Sequence, residues 1–555
     1  MVKFQDEKQD KKIEEILKKE EEDLAMILSK KYGVSYINLF GISIGPDALG
    51  VINEKEARDA LVAPFKKIGK KLLVAVLSPN NSKTKEVITS LEEKNYIIEQ
   101  YIVSKESLEH AWDRYSEVKR ASATQAGVLD ILPDDISALT KQIHSLGDIS
   151  TLVKKTISDP NTHTSRVLEV LVAGALSIEA SDIHIEPEES DVRLRYRLDG
   201  VLQDITSFDY ETYRLLESRI KLISGLKLNV KNIAQDGRFS IKIGNEDIEI
   251  RTSVLPGAYG ESLVMRVLNP KTILVEFENL GMDEYLREIL SGELSKPNGM
   301  ILTTGPTGSG KTTTLYAFLK KIYSPEIKIV TIEDPIEYHI KGITQTQVNK
   351  DVSYTFAKGL RSTLRQDPDV IMVGEIRDAE TAETAVNAAL TGHLVFSTLH
   401  TNNAAGTIPR LIDLGVDPKV LSSALNIFLA QRLIRKLCES CKIRENPSQK
   451  EISVIESVLK TIPRDNLPTL KSVYRAGKCT ECNNTGYKGR IGLFEGIIMD
   501  SEIDKVAVSN PNEREIKKAA EPQKILDMKQ EGIIKVLAGI TSLEELGRVV
   551  DLSET

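Results

Sequence analysis

Residues 301–313 read ILTTGPTGSGKTT, and this run decides the fold. ILTT is a short apolar and β-branched run bounded by glycine, the pattern of a buried strand, and the residues after the loop open a helix. Between them Gly305, Gly310, Lys311 and Thr312 stand at the fixed positions of GxxxxGK[ST]. A glycine-rich loop between strand and helix can wrap its N–H groups around phosphates, backed by the partial positive charge of the helix N-terminus. Gly305, Pro306, Thr307, Gly308, Ser309, Gly310, Lys311, Thr312 and Thr313 are therefore expected to bind a nucleotide. In that arrangement Lys311 reaches the β/γ oxygens and the Thr312 hydroxyl ligates Mg²⁺.

Outward from the loop, apolar runs IVTI (329–332), VIMV (370–373) and LVFST (394–398) alternate with helical stretches. Strands apolar on both faces, separated by helices, indicate a parallel sheet and an α/β fold. VIMVGE ends in Glu375, expected beside the loop as a second holder of magnesium. TIEDPIEY (331–338) gathers Glu333, Asp334 and Glu337, a carboxylate cluster that calls for a cation or a water to activate. Pro335 forces a turn there and keeps the strand end open to ligand. Glu337 is the first choice for the water-activating base and Glu333 the second; the sequence does not separate them. In TGHLVFSTLHTNNA (391–404), His393 and His400 flank a strand expected to neighbour the loop, so that one of them senses γ-phosphate.

All 4 cysteines fall in two CxxC pairs, Cys438/Cys441 and Cys479/Cys482. In a chain without an apolar export signal, doubled CxxC reads as a tetrahedral zinc site rather than disulfides. Four thiolates close the shell, so the ion would be structural. Asn483, Asn484, Thr485 and Gly486 supply the tight knuckle turn. The competing reading is buried free thiols.

The 555 residues exceed one core and suggest three or four units. A hydrophobic fraction of 41% and a charged fraction of 28% exclude wholesale disorder. With 81 acidic against 73 basic side chains, the net charge of −8 disfavours nucleic acid as a partner. No apolar run reaches the ~18–20 residues of a membrane helix, and a mixed-charge stretch follows Met1, so a soluble cytoplasmic chain is expected. Residues 11–28 place Ile13, Ile16, Leu17, Leu24, Ile27 and Leu28 on one helical face. Strand-like runs at 72–77 and 96–103 suggest a small α+β domain. VRLRYRLDGVL (192–202) alternates, with Val192, Leu194, Tyr196 and Leu198 on one face and Arg193, Arg195 and Arg197 on the other. IEIRTSV (248–254) and ESLVMRVL (261–268) complete an antiparallel sheet.

Taken together these motifs resemble the secretion-ATPase superfamily, the motor ATPases of type II secretion and type IV pili. TIEDPIEY is similar to its Asp box, LRQDPDVIMVGEIRD (364–378) to its Walker B segment, and TGHLVFSTLHTNNA to its His box. SDIHIEP (181–187) and DGRFS (236–240) resemble its second N-terminal domain. Residues 52–81 resemble the first N-terminal domain of the assembly branch, and KLCESC with GKCTECNNTGYKGRIGLFE its tetracysteine insertion. The likeness spans roughly residues 23–543.

The resemblance implies a RecA-like ATPase domain at 296–550 with a zinc module inserted at about 437–485. It implies a PAS-like α+β domain at 151–270 and a docking α+β domain at 31–120. A helix at 1–30 and linkers at 121–150 and 271–295 complete the expected layout. It further implies ATP, Mg²⁺ and Zn²⁺, a homo-hexamer, and arginines supplied from the N-terminal sheet, with Arg195, Arg197, Arg251 and Arg266 as candidates. Such a motor would sit at the inner face of the cell membrane, without inserting. It would act through platform and adaptor proteins and move pilin-like subunits indirectly. Some relatives bind a cyclic dinucleotide through an Arg-Leu-Gly tripeptide; none precedes Asp23, so that ligand is not expected. The alternatives are a DNA-translocating or DNA-uptake ATPase of the same superfamily, and a non-hydrolysing nucleotide-gated scaffold.

Overall fold

The computed structural model describes residues 21–42, 44, 46–68, 70–93, 96–115, 128–129, 138–159, 164–243, 246–269, 275–349, 352–464 and 467–552. It divides into two compact units, one holding the first 133 residues and the other most of the remainder. In the first, strands Val62–Ile68 and Lys71–Val76 pair antiparallel, and Ile97–Ile102 adds in parallel. Helices Glu54–Asp59, Ser82–Glu93 and Lys105–Asp113 accompany this sheet. Trp112 lies in its core, with the indole N–H donating to the Val62 carbonyl at 3.0 Å. This is the small α+β fold expected from the runs near 72 and 96.

Residues 21–32 are helical, and the apolar face read from the sequence is split between core and solvent. Ala25 is buried and Leu28 packs on the core, while Leu24 and Ile27 are exposed. Glu22 sets the rotation by accepting from Ser104 at 2.7 Å and from Asn38 at 3.2 Å. Ile13, Ile16 and Leu17 lie outside the described residues.

In the second unit, strands Glu246–Pro256, Glu261–Leu268, Asp182–Pro187, Val192–Leu198 and Val201–Phe208 run in that order, each antiparallel to the next. Val192, Leu194, Tyr196 and Leu198 are buried and the intervening arginines lie on the other face, as the alternation requires. Tyr196 is locked by a hydrogen bond to the Leu171 carbonyl, 2.7 Å, on helix Thr164–Ser177. Helix Leu146–Ser158 starts inside the stretch read as a connector, capped by Ser145.

The nucleotide-binding motif lies on a second sheet of this unit. Its order is Thr344–Gln347, Ile329–Glu333, Val370–Val373, Leu394–Leu399, Gly299–Thr304, Leu425–Leu437, Tyr487–Ile498. The first six strands are parallel and the last antiparallel. The strand ending toward Glu375 is therefore not the immediate neighbour of the loop strand. Leu394–Leu399 comes between them, and Glu375 lies two residues past its own strand end, near enough for its charge to act on Lys311. Ile301, Phe396 and Ile427 fill one face of the sheet, while Leu302, Val395 and Phe428 fill the other, which is why these strands read as apolar throughout.

Candidate functional site

The loop strand Gly299–Thr304 is buried along its whole length and delivers the chain at its C-terminal end into residues 305–310. Helix Lys311–Ile322 then begins at Gly310, whose φ of 91° excludes most side chains. Space forbids them as well. A Cβ on Gly305 would stand 2.5 Å from the Gln431 carbonyl oxygen, and one on Gly310 would stand 2.8 Å from Gln431 Nε2. Strand Leu425–Leu437 thus backs the loop, and the Thr314 hydroxyl seals the contact by donating to Gln431 Oε1 at 2.8 Å. Lys311 Nζ donates to the carbonyls of Gly305 and Pro306 at 2.8 and 3.1 Å. Desolvation lowers its pKa while the charge of Glu375 opposes the shift, so both groups share one small region. Thr312 is exposed beside them. A hydroxyl and a carboxylate flanking a phosphate loop form the hard-oxygen donor set that magnesium takes.

The three acids of TIEDPIEY separate by environment. Glu333, 3% exposed, accepts from Tyr316 at 2.5 Å, Thr331 at 2.6 Å and Gln345 at 3.0 Å. Both of its oxygens are thus held by side chains of the protein. Asp334 is exposed. Glu337, with 30% of its side chain exposed, meets Arg251 Nη1 at 2.9 Å, and Arg251 Nη2 donates to the Ile336 carbonyl at 2.9 Å. Arg251 also holds Glu249 of its own strand at 3.1 Å. The other candidate arginines stay within their sheet. Arg195 pairs with Glu186 at 2.6 Å, and Arg197 and Arg266 share Asp182 at 3.2 and 3.0 Å.

The two histidines lie at opposite ends of one strand. His400 Nε2 stands 3.5 Å from Glu375, which also pairs with Arg377 at 2.6 Å. His393 sits where the strand begins. Its Nδ1 is 3.0 Å from the Ala388 carbonyl, and its own carbonyl accepts from Gly299, at the start of the loop strand. Parallel strands put every phosphate-side residue at the C-terminal ends, so His393 is not brought to the loop.

The four thiols meet because strands Leu425–Leu437 and Tyr487–Ile498 pair with Leu437 opposite Tyr487, placing both knuckles at one end. Their sulfurs lie within 4.8 Å of one another, with Cys438–Cys479 and Cys441–Cys482 at 3.7 Å and Cys479–Cys482 at 3.6 Å. These distances are too long for disulfides, whereas four thiolates ~2.3 Å from one ion define a tetrahedron with edges of about 3.8 Å. The donor set and its spacing fit zinc. Asn483 and Asn484 adopt positive φ to make the turn, and the Gly486 N–H donates to Cys482 Sγ at 3.2 Å. Burial and the neighbouring thiols raise the pKa of Cys441. In Cys482, hydrogen bonds from the backbone at Cys479 and Gly486 outweigh burial and lower it.

Sequence reasoning missed Gln431, Arg432 and Glu495. AQRL carries no phosphate-binding signature, and the run containing Glu495 was read only as part of the cysteine insertion.

Strand order, loop and flanking acids define a P-loop ATPase carrying a tetracysteine knuckle. The family model described as type II/IV secretion system protein matches residues 159–548, and that of the MshEN domain matches 32–122. The type IV pilus assembly ATPase PilB of Myxococcus xanthus is 36% identical over 528 residues, 95% of this chain and 91% of its own. The type II secretion system protein E of Aeromonas hydrophila is 45% identical over 392 residues, 71% of this chain and 76% of its own. The structure of the Legionella pneumophila ATPase DotB matches with a TM-score of 0.51 at 22% identity, covering 71% of this chain and 98% of DotB, and shares the fold. The chain belongs to the type II/IV secretion system protein family, and with its relatives it is an ATP hydrolase that works with a nucleotide and Mg²⁺. Among the described residues no helix is long and apolar enough to cross a membrane.

Proposed function

We propose that this chain is the hexameric Mg-ATPase motor of a type IV pilus assembly machine, converting hydrolysis into closure of the arginine-bearing sheet on the phosphate loop. The observation that carries this reading is the Arg251–Glu337 ion pair, which links that sheet to the acids beside the nucleotide. Coverage favours a pilus over a type II secretion pseudopilus, since the pilus relative matches 95% of the chain and the secretion relative 71%. Partners would be an inner-membrane platform and cytoplasmic adaptors, with the motor held peripherally at the inner face of the membrane.

In this reading residues 305–313 bind the triphosphate, and Thr312 and Glu375 hold magnesium. When bound, that ion neutralises charge on the phosphate oxygens. Glu337, freed from Arg251, orients and deprotonates the attacking water, while the released guanidinium stabilises charge on the transferred phosphoryl group. His400 reports the γ-phosphate to Glu375. Cys438, Cys441, Cys479 and Cys482 hold structural zinc.

ATPase assay with mass measurement in solution tests the motor: Mg-dependent turnover by a six-subunit particle is expected. No ATP consumption by the assembled chain, even with magnesium and its docking proteins, would end this reading. Metal analysis tests the knuckle separately. Wild-type protein is expected to hold one zinc per chain, and Cys438→Ser to lose it and unfold locally, since zinc contributes on the order of 10–16 kcal/mol in isolated fingers. Metal-free wild-type protein with an intact fold would reject the zinc site.

A further inference from the structure

His400 can act beside Glu375 only if the segment that follows it is held in place. Strand Leu425–Leu437, which backs the phosphate loop through Gln431, turns its next side chain to the opposite face, toward that segment. There Arg432 Nη2 donates to the Asn402 carbonyl at 3.1 Å. The neighbouring strand sends Glu495 to the same place, where Oε1 accepts the Ala404 N–H at 2.6 Å. Its other oxygen accepts the Met528 N–H at 3.4 Å, at the start of helix Met528–Leu537. Residues 402 and 404 are thus gripped at a carbonyl by a cation and at an amide by an anion. Thr401 is tied to Thr304 of the loop strand by its N–H, 2.7 Å, and Asn403 to Glu513 at 2.9 Å.

Arg432 is not held as a stable fold alone would ask. Among the described residues its Nη1 is buried without a hydrogen-bond partner. Desolvation lowers the arginine's pKa, Glu495 opposes that shift, and its charge is felt at Lys311. A half-buried guanidinium with one buried, idle donor adds little to the fold, so its grip on residue 402 points to a task in placing its neighbours.

We propose that Arg432 and Glu495 are positioning residues of the hydrolysis site, clamping residues 401–404 and thereby fixing His400 beside Glu375. The inference rests on the reading of His400 and Glu375 given above. The test is a double-mutant cycle of Arg432→Ala and His400→Ala on the assembled full chain, following kcat and KM for ATP with thermal unfolding alongside. Each single variant is expected to lower kcat ~10–100-fold with KM little changed, as a misplaced active-site group does. The double variant should be no slower than the worse single, because both remove one arrangement. Arg432→Lys should recover part of the rate. Glu495→Gln, which keeps an acceptor for Ala404, should outperform Glu495→Ala. Losses that multiply in the double variant would overturn the clamp and leave the site reading standing. A wild-type rate in His400→Ala would overturn the site reading itself. Should Arg432→Ala fail to fold, the same cycle run with Glu495→Ala, which removes the acceptor for Ala404, decides the matter.

Discussion

The arginine-bearing sheet and the nucleotide-binding sheet each carry a row of charges, and each neutralises most of its row internally. On the first, Arg193 pairs with Asp204, Arg195 with Glu186, and Arg197 and Arg266 with Asp182. On the second, Glu333 is saturated by Tyr316, Thr331 and Gln345, and Glu375 takes Arg377. Arg251, besides holding Glu249 of its own strand, also reaches across to Glu337. A charge satisfied within its own sheet is fixed with it, whereas a pair shared between two sheets can be made and broken as they move. On the proposed reading, the difference separates scaffold from working parts among residues of identical type.

The largest expected effect falls outside either row. Lys311→Ala removes the cation that all the other charges assume, and turnover should drop to background in a phosphate-release assay. Activity near wild type would remove the nucleotide site from this loop. Next comes the contrast between acids. Glu337→Gln should slow hydrolysis by ~10²–10⁴ and retain bound ATP. Glu333→Gln should chiefly cost stability, about 1–3 kcal/mol in denaturant unfolding, as buried donors lose their acceptor. If the two variants exchange phenotypes, the assignment of base and scaffold is reversed.

The arginines repeat the contrast at smaller scale. Arg251→Ala should lower kcat on the order of 10²-fold, the weight of one well-placed donor, while Arg195→Ala changes it by only a few-fold. Equal losses would break the distinction between shared and internal pairs. The smallest effect is expected at His393, whose imidazole faces the Ala388 carbonyl at the far end of its strand. His393→Ala should hydrolyse ATP at the wild-type rate; a clear loss there would mean that the start of the strand communicates with the loop.

Much of this was legible in advance because it is local. The phosphate loop needs glycine at fixed positions between a strand and a helix, and the doubled CxxC needs only knuckle spacing. Alternation exposed the half-buried strand of residues 192–198, and apolar runs exposed the parallel sheet. The failures share a cause. Strand order is not written in any one run, so VIMV did not tell that Leu394–Leu399 lies between it and the loop strand. The apolar face of the helix at 21–32 did not tell which residues would turn inward, because Ala25 is buried and Leu24 exposed once Glu22 reaches Ser104, far away in the chain. Arg432 and Glu495 passed unnoticed since a single arginine in AQRL and a single glutamate in LFE resemble ordinary strand residues.

From its residues alone this chain could be known as a phosphate-binding α/β protein with a four-thiolate knuckle, since those features depend on neighbours within a few positions. Which glutamate meets an arginine of the other sheet and which histidine stands beside Glu375 were decided by tertiary structure. Burial, strand order and the ends at which parallel strands stop are relations between distant segments, and proton affinity and reach follow from them.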